Sequence, residues 1–137
     1  ETGPAPTKIF WDDIKRGLNV LNSLGPCDVG QSIAVQEGVV LAIEAIEGTD
    51  QMIERAGSLQ RNVGGPILIK ISKPNQDKRV DLPTAGPETV NNAIRWGFQG
   101  LALEANNSLL LDKDRVIKIA EKNSFFVIGV DQSKILQ

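Results

Sequence analysis

Residues 66–89 read PILIKISKPNQDKRVDLPTAGPET, and the rest of the chain is organised around them. Ile67 to Ile71 is an apolar run interrupted only by Lys70, the pattern of a strand buried on most of its surface. A polar loop follows in which Lys73, Lys78 and Arg79 alternate with Asp77 and Asp81, while Pro74, Pro83 and Pro87 stiffen the backbone around it. Gly86 and Pro87 then mark a helix start, because a proline in the first turn forfeits no hydrogen bond. Strand, charged loop and helix start together make a place to hold a phosphate, since free backbone N–H groups and the helix dipole both favour an anion.

Upstream of that stretch, Phe10, Ile14, Leu18 and Leu21 recur at helical spacing and predict an amphipathic helix from Lys8 to Leu24, ending near Gly25-Pro26. Residues 1–6, with Pro4 and Pro6, read as a frayed lead-in or linker remnant. Ile33 to Val35 and Val39 to Ile43 are two β-rich runs joined at Glu37-Gly38, a hairpin signal. Thr49 is a candidate N-cap, and Asp50 complements the first-turn dipole of a helix reaching about Leu59.

Downstream, Val90, Ala93 and Ile94 share one face of a helix from Pro87 to about Gly97, and a strand is expected near Leu101 to Leu103. A turn at residues 104–107 leads to a short apolar run, Leu109 to Leu111, read as an extra short strand. Asp112 is expected to cap a helix to about Lys122, with Leu111 and Val116 as a hydrophobic staple. Phe125 to Val130 gives the last strand and residues 131–137 a tail. The sum is a single α/β domain over 7–137, with a mixed or mostly parallel sheet of about five to six strands flanked by about four helices.

Composition narrows the chemistry. With 137 residues and 41% hydrophobic content the chain is long enough for one domain with a real core. A net charge of −2 and a pI near 5.2 provide no basic field for a nucleic acid backbone, so no nucleic acid partner is expected and any anion site must be local. No apolar run is long enough to span a membrane and Glu1-Thr2-Gly3-Pro4 opens no signal peptide, so a cytoplasmic location is expected. Cys27 is the single cysteine and histidine is absent, which excludes an intrachain disulfide, zinc fingers and Ser-His or Cys-His nucleophile pairs. What remains is carboxylates, amides, hydroxyls, Lys and Arg, an inventory that suits Mg²⁺ better than a transition metal.

Polar clusters stand where ligands bind in open α/β sheets, beyond the carboxyl ends of strands. Glu44, Glu47, Thr49 and Asp50 follow the second strand, and Lys70 to Thr84 follow the third. Asp28, Gln31 and Ser32 lie just before a strand. Plain structural roles compete with each: Thr49 and Asp50 as helix capping, Lys73, Lys78 and Arg79 as a solvated loop, Asp81 as the start of an Asx turn, and Cys27 as inert packing. Lys70 is harder to dismiss, because a lysine inside an apolar strand must snorkel, pair with a carboxylate or meet a ligand.

Three strings, GPCDVGQS at 25–32, VVLAIEAIEGTD at 39–50 and KPNQDKRVDLPTAGP at 73–87, resemble the LpxI-type UDP-2,3-diacylglucosamine pyrophosphatases of lipid A biosynthesis. The similarity runs from about Lys8 to Val130 and covers only the C-terminal half of that family, whose Rossmann-like N-terminal domain is not seen here. The resemblance implies Mg²⁺-dependent hydrolysis of the pyrophosphate of UDP-2,3-diacylglucosamine to UMP and 2,3-diacylglucosamine 1-phosphate (lipid X), with the absent N-terminal domain as a partner. The family's essential aspartate falls in Arg79-Val80-Asp81-Leu82-Pro83, which makes Asp81 the expected catalytic residue and a metal candidate, with Glu47 and Asp50 as further metal candidates. Lys70, Lys73 and Arg79 would offset phosphoryl charge, and Gln31, Thr49 and Thr84 join them as expected substrate contacts. Some of Leu82, Trp96, Phe98 and Leu101 are expected to line a groove for the acyl chains. Peripheral contact with the cytoplasmic face of the inner membrane stays open, as does the oligomeric state. Two other readings also stand: a non-catalytic α/β module that binds a nucleotide sugar, and a purely structural α/β domain.

Overall fold

A computed structural model describes residues 2–24, 31–72, 84–105 and 109–135. The elements run α1 (Lys8–Leu24), β1 (Ser32–Gln36), β2 (Val39–Ile43), α2 (Thr49–Ser58), β3 (Ile67–Lys70), β4 (Thr84–Ala85), α3 (Pro87–Arg95), β5 (Gly100–Glu104), β6 (Leu109–Leu110), α4 (Lys113–Lys122), β7 (Phe126–Val130) and α5 (Gln132–Ile135). Five strands form one mixed sheet in the order β2-β1-β3-β5-β7, and β4 pairs with β6 in a separate two-stranded ribbon.

β1 is antiparallel to both neighbours, whereas β3, β5 and β7 are mutually parallel. That one reversed strand decides where the ligand edge lies. Because β1 runs backwards, β2 and β3 point the same way although they do not touch, and the carboxyl ends of β2, β3, β5 and β7 share an edge with the start of β1. The Glu37-Gly38 turn lies at the other edge; both residues have positive φ, 42° and 82°, as a two-residue hairpin turn of the primed type requires.

Side chains alternate across the sheet into two cores. Ile33, Val35, Ile67, Ile69, Ile71, Ala102, Phe126, Ile128 and Val130 face α1, whose Ile14, Leu18 and Leu21 are fully buried against them. Ala34, Ala42, Leu68, Leu101, Leu103 and Val127 face the layer made by α2, α3 and α4. Three layers result, α1 on one side and α2–α4 on the other. The parallel strands are buried nearly throughout, as expected when helices cover both faces.

Several expectations are corrected by the packing. The lead-in is not frayed at Thr2, which exchanges two main-chain hydrogen bonds of 2.9 Å with Val127 and so closes the outer side of β7. The run Val39 to Ile43, apolar on both faces in sequence, becomes the edge strand β2, and among its residues only Ala42 is buried. The N-cap of α2 is Gly48 (φ 87°), not Thr49, whose hydroxyl bonds elsewhere. Asp112 is the N-cap of α4 in a left-handed conformation without a side-chain cap bond; its carboxylate takes Arg115 at 3.3 Å, and Leu111 stays exposed while Val116 is buried. The tail includes the helical turn α5, whose Ile135 packs on the α1 side of the core.

Candidate functional site

Polar side chains gather along the shared strand edge. β2 hands over to Glu44, whose side chain points to the same face as Ala42, and its carboxylate is held by three donors. Oε2 accepts the Ser32 hydroxyl at 2.9 Å and the Gln31 N–H at 3.4 Å, and Oε1 accepts the Thr49 hydroxyl at 3.0 Å. One carboxylate therefore ties the entry to β1 and the first turn of α2 to the end of β2. Gln31 is fixed further by its carbonyl, which accepts the Ile71 N–H at 2.9 Å.

Lys70 ends β3 on the same face, 6% exposed. Its Nζ donates to the carbonyl oxygen of Thr84 at 2.8 Å. Burial pushes its pKa below the usual lysine value, and the charges of Glu44 and Asp50 work against that shift. No carboxylate lies within ion-pair distance of it among the described residues. Asp50 itself is exposed in the first turn of α2, where the helix dipole favours a carboxylate.

The opposite face of the same edge carries a second network. Glu104 ends β5, and its Oε2 accepts both the Ser72 N–H at 2.8 Å and the Ser72 hydroxyl at 2.7 Å. Its Oε1 accepts the Gln132 amide at 2.8 Å, and Gln132 in turn accepts from Asn22 at 2.7 Å. A relay thus runs from the last turn of α1 through α5 to the end of β3.

Of the residues expected from sequence, the edge unites Gln31, Thr49, Asp50, Lys70 and Thr84. Glu47 goes elsewhere. It forms a 2.6 Å ion pair with Arg55, which holds its carboxyl below the usual range, beside an open hollow of about 420 Å³ lined by Gln51, Glu54 and Trp96. Asp81, Lys73, Arg79, Leu82, Cys27 and Asp28 lie outside the described residues. Phe98 and Leu101 are core side chains, 3% and 1% exposed; Trp96 sits at the C-terminal end of α3, away from the strand-end edge. Among the described residues no group of three or more acidic or thiol side chains is placed to hold a metal ion, and no helix is long and apolar enough to cross a membrane. A larger hollow of about 620 Å³, between α1 and the Glu37-Gly38 turn, is at the other edge of the sheet.

Sequence reasoning placed Glu44, Ser32 and Ser72 in the polar clusters without giving them contacts, and it did not single out Glu104 as a site residue. A signal was present: each glutamate is the first carboxylate after an apolar strand, and strand parity puts Glu44 on one face and Glu104 on the other.

Residues 2–128 match the family model of the LpxI C-terminal domain. A curated relative, UDP-2,3-diacylglucosamine pyrophosphatase LpxI of Caulobacter vibrioides, is 41% identical over 96% of this chain. The chain spans about half of that relative, 48% of its length. Among solved structures, the dCMP deaminase of cyanophage S-TIM5 in apo form superposes with a TM-score of 0.52 over 91% of this chain and 100% of the deaminase, at 9% identity. That likeness is one of fold alone.

Proposed function

The chain belongs to the LpxI C-terminal domain family, and from that membership we propose that it is the C-terminal part of an enzyme that hydrolyses the pyrophosphate of UDP-2,3-diacylglucosamine. The products would be UMP and 2,3-diacylglucosamine 1-phosphate, within lipid A biosynthesis. The observation that carries the reading is the convergence of Gln31, Glu44, Thr49, Asp50, Lys70 and Thr84 on one strand edge, at both ends of the stretch that contains Asp81. Carboxylates, hydroxyls and two helix starts at one edge, beside a stretch whose sequence carries Lys73, Lys78 and Arg79, suit a diphosphate, since catalysis of phosphoryl transfer is mostly positioning and charge stabilisation.

In this reading Asp81 is the catalytic carboxylate, holding a metal or orienting and deprotonating the attacking water. Lys73 and Arg79 meet the phosphoryl oxygens. Mg²⁺ fits the donor chemistry: it takes one or two carboxylates together with substrate phosphates, so Asp50 and Asp81 suffice without a cage of three. When bound it supplies charge neutralisation across the diphosphate. The acylated substrate would be met at the inner-membrane surface, and the half of the relative that this chain does not span would complete the enzyme.

The test is Asp81→Ala in the full-length protein. Turnover of UDP-2,3-diacylglucosamine is expected to vanish while binding persists, and an unchanged kcat would defeat the assignment. Binding without hydrolysis in the unmodified full-length protein would favour a module that only binds nucleotide sugars.

A further inference from the structure

Ser72 and Thr84 are the described residues that flank 73–83, and each is held by one ionisable side chain. Glu104 binds Ser72 twice, through its N–H and its hydroxyl, on the α1 face of the sheet. Lys70 binds the carbonyl of Thr84 on the opposite face. We infer that Glu104 and Lys70 are positioning residues, fixing the main chain at the two points between which Asp81 lies in sequence. The inference rests on the role given to Asp81 above and deepens it.

The geometry argues against a direct phosphate role for Lys70. An ammonium that serves a soluble anion must present its donors to the ligand, whereas this one is nearly sealed from solvent and directs a donor at a main-chain oxygen. Sealing an ammonium is costly unless its hydrogen bonds are made, so the Thr84 bond is one the fold does not readily give up. Glu104 is anchored from behind as well: Gln132 holds its second oxygen and Asn22 holds Gln132. Two donors from one serine on one carboxylate oxygen restrain both the main chain and the side chain of Ser72. A lysine and a glutamate in these places cannot be exchanged for apolar residues of similar shape without releasing the backbone, because each captures a main-chain group that no strand partner takes.

The experiment compares Glu104→Ala, Glu104→Gln, Ser72→Ala and Lys70→Met in the full-length protein, with kcat and KM for UDP-2,3-diacylglucosamine, and hydrogen exchange at the Ser72 amide. A displacement on the order of 1 Å at a reacting group costs roughly 10²-fold. Glu104→Ala and Lys70→Met are therefore expected to lower kcat by about 10- to 100-fold with KM within about threefold. Glu104→Ala should also expose the Ser72 amide to exchange. Glu104→Gln keeps the oxygen that Ser72 uses and loses the acceptor for the Gln132 amide, so it should recover most of the kcat lost in Glu104→Ala; Ser72→Ala, which removes only the hydroxyl bond, should cost less than Glu104→Ala and guards against a misfolded variant. A raised KM at unchanged kcat would make these residues substrate contacts, and a Glu104→Gln enzyme as slow as Glu104→Ala would make the charge itself necessary; either overturns the inference. Unchanged kcat in both Glu104→Ala and Lys70→Met beside an inactive Asp81→Ala would overturn positioning alone. An active Asp81→Ala would overturn the catalytic reading and this inference with it.

Discussion

Gly38 donates its main-chain N–H to Asp13 Oδ1 at 2.7 Å, and Glu37 next to it donates to Oδ2 at 3.0 Å, so a carboxylate on α1 holds both turn residues of the β1–β2 hairpin. Asp13 is 2% exposed, and its burial raises its pKa above the usual aspartate value against the lowering effect of the two N–H groups. Removing the acceptor in Asp13→Ala is expected to cost about 2–3 kcal/mol, read by urea unfolding. The pH dependence has a definite sign. Between the unfolded value, about 3.9, and its higher folded value, the native state holds more protons at this site than the unfolded chain, so stability must fall as pH rises through that window. The margin of the wild type over Asp13→Asn should therefore be largest in acid and shrink until Asp13 has ionised in both states, and a margin that grew with pH would contradict the burial argument.

Glu44 and Asp50 are the charges that oppose the lowering of the Lys70 pKa by burial. Glu44→Gln preserves the shape of the Ser32 and Thr49 contacts and removes one of those charges. The Lys70 pKa should fall further in that variant, observed by NMR titration of its side-chain carbon and nitrogen shifts; no change would mean that the Glu44 charge does not reach the ammonium.

A methyl group has no room at Gly100. In register with Phe126 on β7, it would put a Cβ 2.2 Å from the aromatic ring, which also packs against Phe10 of α1 at a 48° tilt with centroids 5.3 Å apart. Gly100→Ala is expected to destabilise by about 1–3 kcal/mol through overpacking, measured by thermal or urea unfolding, with the fold retained.

Ligand and metal should act together on the isolated chain. If the strand edge receives a diphosphate with Mg²⁺, substrate plus Mg²⁺ should raise the melting temperature, by up to about 2.7 kcal/mol of stabilisation at ligand a hundredfold above Kd, and EDTA should abolish the gain. Equal protection with and without metal would remove Mg²⁺ from the proposal.

The periodic elements were legible because burial is written in their spacing: Phe10, Ile14, Leu18 and Leu21 outline α1, and the run Ile67 to Ile71 announces β3. The Glu37-Gly38 turn was legible for a backbone reason, the positive φ that glycine tolerates. Thr49 was misjudged because a hydroxyl at a helix start has two available partners; local capping is visible in sequence, whereas Glu44, five residues back but adjacent in space, is not. Glu104 escaped notice since its partners Ser72 and Gln132 are 32 and 28 residues away. Glu47 looked like a neighbour of Asp50 by proximity in the string, but it lies in the turn before α2 and pairs with Arg55 of that helix. Site geometry of this kind depends on strand order, and the reversed β1 is what the one-dimensional pattern does not disclose.

That reversed strand also gives the domain a practical polarity. Anything tethered at the exposed Val39, next to the hairpin turn, sits at the rim opposite the strand-end carboxylates. A dye or sensor-chip linkage attached there would leave the chemically dense rim facing the solution, so immobilised protein could be titrated with lipid nucleotide without its own attachment getting in the way.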